Sequence, residues 1–193
     1  SSSDYAKRPA APGSSESCGH AGQPRIWPNA CWRTTTAPRL LDWAKRSHRD
    51  FVILRVPGIY ARDRLPLERL RKRLPVVLES EAPWSNRIHA DDLAGVCVAA
   101  MEQNVSGCVL NACDGHPGTM TGYFNHVADF TGLPRPPQIP LVEALETLSP
   151  GMVSYIRESR RIRNRKLLEI LDYEFRYPSL EQGLPLPKTA LST

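Results

Sequence analysis

Apolar residues fall into two periods along this chain. Phe51, Val52, Ile53, Leu54 and Val56 form a largely β-branched run that stops at Pro57-Gly58, which predicts a buried strand ending in a sharp turn. Further strands are expected over 86–89 and 107–112. From Asp91 to Gln103 the apolar residues recur at helical spacing, with Leu93, Val96, Cys97 and Ala100 on the expected inner side. Leu40, Leu41, Trp43 and Ala44 give one side of a helix ending near His48. Leu67, Leu70 and Leu74 do the same for a basic helix over 65–73. Thr119 is placed to N-cap a helix over 121–130 that Gly132 closes. Shorter helices are expected over 141–148, after Pro150, and from Asn164 to Ile170. The helix–strand alternation predicts an α/β protein. Ile53, Leu54 and Val56 are expected to be largely buried, with both faces of the sheet covered, as parallel strands require.

Residues 1–36 break this pattern. Pro9, Pro12, Pro24 and Pro28 interrupt any helix, no periodicity survives, and an irregular or divergent segment is expected. The ordered pattern occupies 37–184, and 185–193 read as a tail. The chain begins at Ser1 rather than Met; a fragment, a shifted reading frame and a true truncation all fit that beginning.

Composition narrows the classes. The 193 residues suffice for one domain or most of one, with 41% hydrophobic residues, 18 Pro and a net charge of +5. The basic residues cluster at 62–73 and 157–166 without interleaved aromatics, so solvated helix faces are expected and nucleic acid is not. Five Cys at 18, 31, 97, 108 and 113 include no Cys-x-x-Cys pair. Cys97 and Cys108 read as small buried hydrophobes. Cys18, His20 and Cys31 lack a fourth zinc ligand at familiar spacing, so no metal is expected. No run is long and apolar enough to span a membrane, and a reducing cytoplasm is the expected compartment.

Two segments carry a family likeness. Ile53-Leu54-Arg55-Val56-Pro57-Gly58-Ile59-Tyr60, followed by Ile88-His89-Ala90-Asp91-Asp92-Leu93-Ala94, resembles in order the strand-and-turn and the strand-to-helix motifs of extended short-chain dehydrogenase/reductases, the NAD-dependent epimerase/dehydratase family. Ser159 to Leu168 resembles that family's S-K-R-x-x-N-x-K-L segment, and Tyr177 to Leu184 its closing Y-P-x-x-x-x-G-L. The likeness covers about 37–184, the carboxyl-terminal portion. It implies a partial NAD(P)-binding Rossmann-like fold: the later strands plus a small substrate-binding region, without the first βαβ units.

The resemblance implies NAD or NADP as cofactor and hydride transfer on a nucleotide sugar or related small molecule. It places Pro57, Gly58, Ile59 and Tyr60 against the nicotinamide end of the cofactor. Arg87, His89, Arg160 and Arg165 become the substrate-binding candidates, because a guanidinium fork suits phosphate. Ser85 stands where nucleotide-sugar enzymes often carry an Arg, four residues before the His, and strand alternation puts Arg87 on the same side. His89 reads on its own merits as a loop anchor, and Asp91 and Asp92 as helix-start acids.

Two family elements are missing from the sequence. Gly19-His20-Ala21-Gly22 follows no apolar strand, so no glycine-rich turn is available for a pyrophosphate. The family's catalytic Tyr is activated by a Lys one helical turn on, and none of the six Tyr has Lys at i+4. The chain alone is therefore expected to be inactive and to bind dinucleotide weakly, with no catalytic residue assigned. The alternative is a non-catalytic dinucleotide- or metabolite-binding regulator on the same scaffold.

Overall fold

The computed structural model describes residues 39–40, 42–44, 46–47, 50–103 and 105–186. The expectations for 1–36, including the Cys18/His20/Cys31 group, and for most of the tail lie outside the described residues.

The strands pair as four two-stranded pieces. Strand β1 (Val52–Arg55) and β2 (Gly58–Tyr60) are separated by Val56-Pro57, because proline cannot donate into a ladder. After a single-turn helix at Arg62–Arg64 and helix α1 (Leu67–Arg71) come β3 (Val76–Val77), β4 (Trp84–Ser85) and β5 (Arg87–His89). Helix α2 (Ala90–Glu102) follows without a break, then β6 (Cys108–Asn111), β7 (Gly118–Thr119) and helix α3 (Met120–Thr131). The chain closes with β8 (Gln138–Ile139) and helices α4 (Leu141–Thr147), α5 (Pro150–Ile156), α6 (Arg165–Leu171) and α7 (Leu180–Gly183). β1 runs parallel to β6, β2 to β5 and β3 to β8; only β4 and β7 are antiparallel.

Two cores result. One gathers Ile88, Val96, Leu110, Leu167 and Leu171, with Val52, Leu54 and Val56 packed against it. This is the α/β part, where α2 and α6 lie over β1, β5 and β6. The other gathers Tyr60, Leu70, Val76, Val77, Tyr123, Phe124, Val127 and Ala144, and belongs to the smaller region built from α1, α3, α4 and α5. Helix α3 is set by its own ends: Thr119 Oγ1 accepts from the Gly122 N–H at 2.8 Å, and Gly132 closes it at φ 67°.

The α/β expectation stands, with four corrections to burial. Ile53, Leu54 and Val56 are only half-buried. The face of β1 carrying Val52, Leu54 and Val56 packs on a core, whereas Ile53, pointing the other way, joins neither. Among the described residues the face of β1 carrying Ile53 is half-buried without a core cluster of its own. Leu74 is exposed because α1 stops at Arg71 and Arg73 turns left-handed at φ 50°. Cys97 is exposed, since one helical step carries it away from buried Val96. Cys108 is half-buried.

Gly95, inside α2, leaves room for Tyr173: a Cβ there would overlap the phenol and sit 2.8 Å from its Cζ. Gly95→Ala gains up to about 1 kcal/mol of helix propensity and loses about 1–3 kcal/mol to overpacking. A net fall in melting temperature is expected, relieved in part by Tyr173→Phe, which removes the nearest atom. A stabilised Gly95→Ala protein in thermal melts would refute the packing argument.

Candidate functional site between the two cores

Polar side chains gather along the seam where the two cores meet. The turn from β5 into α2 sets its base. His89 is the N-cap of α2, and its Nδ1 accepts from the Asp91 N–H at 3.2 Å. Its ring is buried against Tyr177 at 4.0 Å and meets Tyr60 edge-on at 5.2 Å. The loop-anchor reading of His89 is therefore what the geometry shows. One edge still reaches a cavity of about 300 Å³ lined also by Arg62, Asp91, Tyr177 and Gln182.

Asp92 is more than a helix-start acid. It is fully buried, and its two carboxylate oxygens accept from the Arg176 N–H at 2.8 Å, the Tyr177 N–H at 2.9 Å and the Tyr173 hydroxyl at 3.2 Å. These bonds tie residues 173–177 to the start of α2, which brings Tyr177 onto His89. Asn86 plays a matching part on the other side. Its Oδ1 accepts from the Ile162 N–H at 2.7 Å and its Nδ2 donates to the Arg160 carbonyl at 2.9 Å. Asn111 and Asn164 donate to the carbonyls of Arg163 and Cys113 at 3.1 and 2.9 Å. The basic segment 159–164 is thus strapped across the ends of β5 and β6 by amide side chains.

The cofactor candidates divide. Tyr60 is fully buried, its hydroxyl donating to the Ser179 carbonyl at 3.2 Å, so its side chain is a core strut. Pro57 and Gly58 are half-buried and Ile59 is exposed. The Gly58 N–H is spent on the Asn86 carbonyl at 3.2 Å. A Cβ at Gly58 would lie 3.0 Å from Arg87 Nη1, so glycine is what lets the guanidinium approach. The turn thus presents Ile59 to solvent, while no described residue forms a glycine-rich cradle for a pyrophosphate.

The substrate candidates divide too. Arg87 lies in the seam, its guanidinium stacked 3.5 Å from the centre of the Tyr123 ring, with Nη2 donating to Ser85 Oγ at 3.1 Å. Burial lowers its pKa. Arg160 and Arg165 are exposed, and Arg165 Nε is paired with Glu169 at 2.6 Å. Only Arg87 and His89 of the four are brought together in the seam.

Asp114, missed by the sequence reasoning, is buried at the end of β6. Its Oδ1 accepts from the His116 N–H at 2.9 Å, and it helps line an open cavity of about 460 Å³ with His116, Asn164, Tyr173 and Phe175. Burial pushes its carboxyl up to about 6, against the His116 hydrogen bond. The phenols move the other way from a useful base. Tyr60 is pushed well up by burial and then by the carboxylates of Asp114, Asp92 and Glu181; burial also raises Tyr123. Among the described residues no group of three His, Cys, Asp or Glu side chains is placed to hold a metal ion, and no helix is long and apolar enough to cross a membrane.

Parallel strand pieces under α2 and α6, with a smaller helical region across a polar seam, define a class: this is the fold of the Rossmann-type NAD-dependent epimerase/dehydratases, extended short-chain dehydrogenase/reductases. No family model matches the sequence. The 3-diazoavenalumate denitrifying reductase of a Streptomyces species is 32% identical over 130 residues, 66% of this chain and 42% of the reductase. A functionally unknown conserved protein of Silicibacter pomeroyi superposes with TM-score 0.69 at 28% identity, over 79% of this chain and 52% of its own. The dTDP-glucose 4,6-dehydratase of Bacillus anthracis, solved with NAD, gives TM-score 0.63 at 15% identity over 86% and 52%. The UDP-glucose 4-epimerase of Thermotoga maritima, solved with UDP-glucose, gives 0.60 at 22% over 78% and 48%. This chain spans about half the length of the relatives it matches. Those named for an activity are enzymes, which does not favour the regulator alternative.

Asp92→Asn should cost about 2–3 kcal/mol, since charged acceptors are strong and the new NH2 must face a backbone N–H. A denaturant midpoint equal to wild type would show that Asp92 is not the tie. Asp114 gives a pH test. Its folded pKa lies above the unfolded value of 3.8, so the folded state holds the proton more tightly. Stability from this group is present below about pH 4 and is lost as pH rises through about 6. Asp114→Asn keeps Oδ1 and should raise stability by on the order of 2 kcal/mol at pH 7.5, the difference closing near pH 4. Parallel melting curves across pH would contradict this.

Proposed function

We propose that this chain forms the substrate side of an NAD(P)-dependent oxidoreductase of the epimerase, dehydratase and reductase type, acting on a small molecule that carries an anionic group. The observation that carries the reading is the seam: a strand-to-helix turn fixed by His89 and Asp92, facing a half-buried arginine, between an α/β core and a smaller helical one. The fold shared with NAD-bound and UDP-glucose-bound enzymes supports it, as does the likeness to a reductase whose name specifies a diazo acid.

In this reading Pro57, Gly58 and Ile59 flank the nicotinamide end of the dinucleotide, with Tyr60 holding their strand from below. Arg87 and His89 orient the substrate, and Arg160 and Arg165 supply outer positive charge. The dinucleotide, when bound, supplies hydride transfer. This chain's residues supply orientation and exclusion of water. A nucleotide sugar is one substrate class for such a site, and a small organic acid is another.

The test is calorimetry with NAD and NADP. The 193-residue chain is expected to show no saturable binding, because no described residue and no sequence motif cradles a pyrophosphate. A fusion placing the strand, glycine-rich turn and helix units of the Streptomyces reductase ahead of Phe51 is expected to bind one of the two. A folded fusion that binds neither would refute the reading.

A further inference from the structure

Arg87 is over-equipped for a structural role. A guanidinium carries five N–H donors and no acceptor, and one of Arg87's meets an acceptor within the protein, Ser85 Oγ at 3.1 Å. No carboxylate of a described residue lies within ion-pair distance of it. The buried polar atoms left without partners among the described residues are Arg69 Nε and Asn125 Oδ1, so the spare donors of Arg87 are not sealed in. They remain reachable while the body of the group is held. Tyr123 lies under one face at 3.5 Å, Ser85 fixes one edge, and Nη1 packs against Gly58, where only a glycine leaves it room. An exposed, mobile arginine would lose rotamer freedom on binding; this one has been ordered in advance.

The surroundings select the charge of what binds. The titratable groups acting on Arg87 are the phenols of Tyr60, Tyr123 and Tyr155 and the carboxyl of Asp114. Asp92 and Glu181 also act on the neighbouring Tyr60. Neither basic candidate of the 159–165 segment joins the seat: Arg160 and Arg165 are exposed, and Arg165 is engaged by Glu169. One cation with the carboxyl of Asp114 acting on it suits a single negative charge. A diphosphate would bring more charge than the seat neutralises and would meet Asp114.

We propose that Arg87 is the seat of a compact, singly charged carboxylate, so that the substrate is a small organic acid rather than a nucleoside diphosphate sugar. The planar fork receives the carboxylate with two parallel N–H···O bonds. This rests on the substrate-side reading above and narrows it.

Arginine-selective modification of the full chain by phenylglyoxal, mapped by peptide mass spectrometry, tests it without a variant. Benzoate should slow modification of Arg87 at least about tenfold, as a bidentate charge-assisted pair predicts, and leave Arg71 on the outer face of α1 unchanged. UDP-glucose and inorganic phosphate should protect Arg87 weakly. Stronger protection by UDP-glucose, or equal protection by phosphate, would overturn the carboxylate assignment, as would protection of Arg71 to the same degree. Arg87→Lys, checked for folding by circular dichroism, keeps the charge and removes the fork. Its benzoate affinity, read by NMR titration, should fall at least about fivefold, and an unchanged affinity would overturn the proposal. Benzoate protection together with a fusion that fails to bind dinucleotide would refute the enzyme reading and leave the carboxylate seat standing.

Discussion

The carboxylate of Asp92 is the interaction on which the rest of the arrangement depends. Burying a charge is costly unless every lone pair is used, and Asp92 uses two backbone N–H groups and a phenol. The consequence reaches well beyond α2. With residues 173–177 fixed, Tyr177 closes over His89, and the chain then enters α7 so that Gly183 passes against the Tyr60 ring. Tyr60 in turn anchors β2, whose first residue clears the space for Arg87. One buried carboxylate therefore sets the order of contacts from the carboxyl-terminal segment to Arg87 in the seam.

Two small cores, rather than one large one, make such ties necessary. Each apolar cluster is assembled from short elements that bury modest area, and neither fixes the orientation of the other. Around the α/β core the segments 160–164 and 173–177 are held by amide and carboxylate bonds to main chain: Asn86 to 160–162, Asn111 and Asn164 across 111–164, Asp92 to 173–177. Hydrogen bonds of this kind contribute only about 1 kcal/mol each when made but cost more when left unmade. They specify position more than they add stability.

This division explains what was legible in the sequence. β1, β6 and α3 were readable because their signals are local: a β-branched run ended by Pro57-Gly58, a strand at helix spacing from the next, and a cap at Thr119 matched by Gly132. His89 was readable as an anchor because its partner is two residues away. Asn86 and Asp92 were not, since their partners lie 74 to 85 residues on, and nothing in Asn86-Arg87 or Asp91-Asp92 announces them. Cys97 was misplaced by a single helical step, where an apolar residue beside Val96 faces solvent. Ile53 reads as largely buried because a parallel strand is normally covered on both faces, whereas it is half-buried and joins neither core cluster.

The same seam separates binding from proton transfer. A phenol serves as a base only if a cation or hydrogen bonds favour its ionised form, and here the reverse holds. Tyr60 and Tyr123 are desolvated, and Tyr60 also faces Asp114 and Asp92, so both stay neutral donors near neutral pH. Arg87 acts on both phenols, but burial and the carboxylates prevail at Tyr60 and burial prevails at Tyr123; its guanidinium is stacked on Tyr123 and hydrogen-bonded to Ser85. A guanidinium so placed cannot give up its proton and has no role as an acid. What it retains is a fixed positive charge with donors to spare, which is what the proposed anion seat uses. In the substrate-side reading proposed above, such a site orients what it binds and does not itself move a proton.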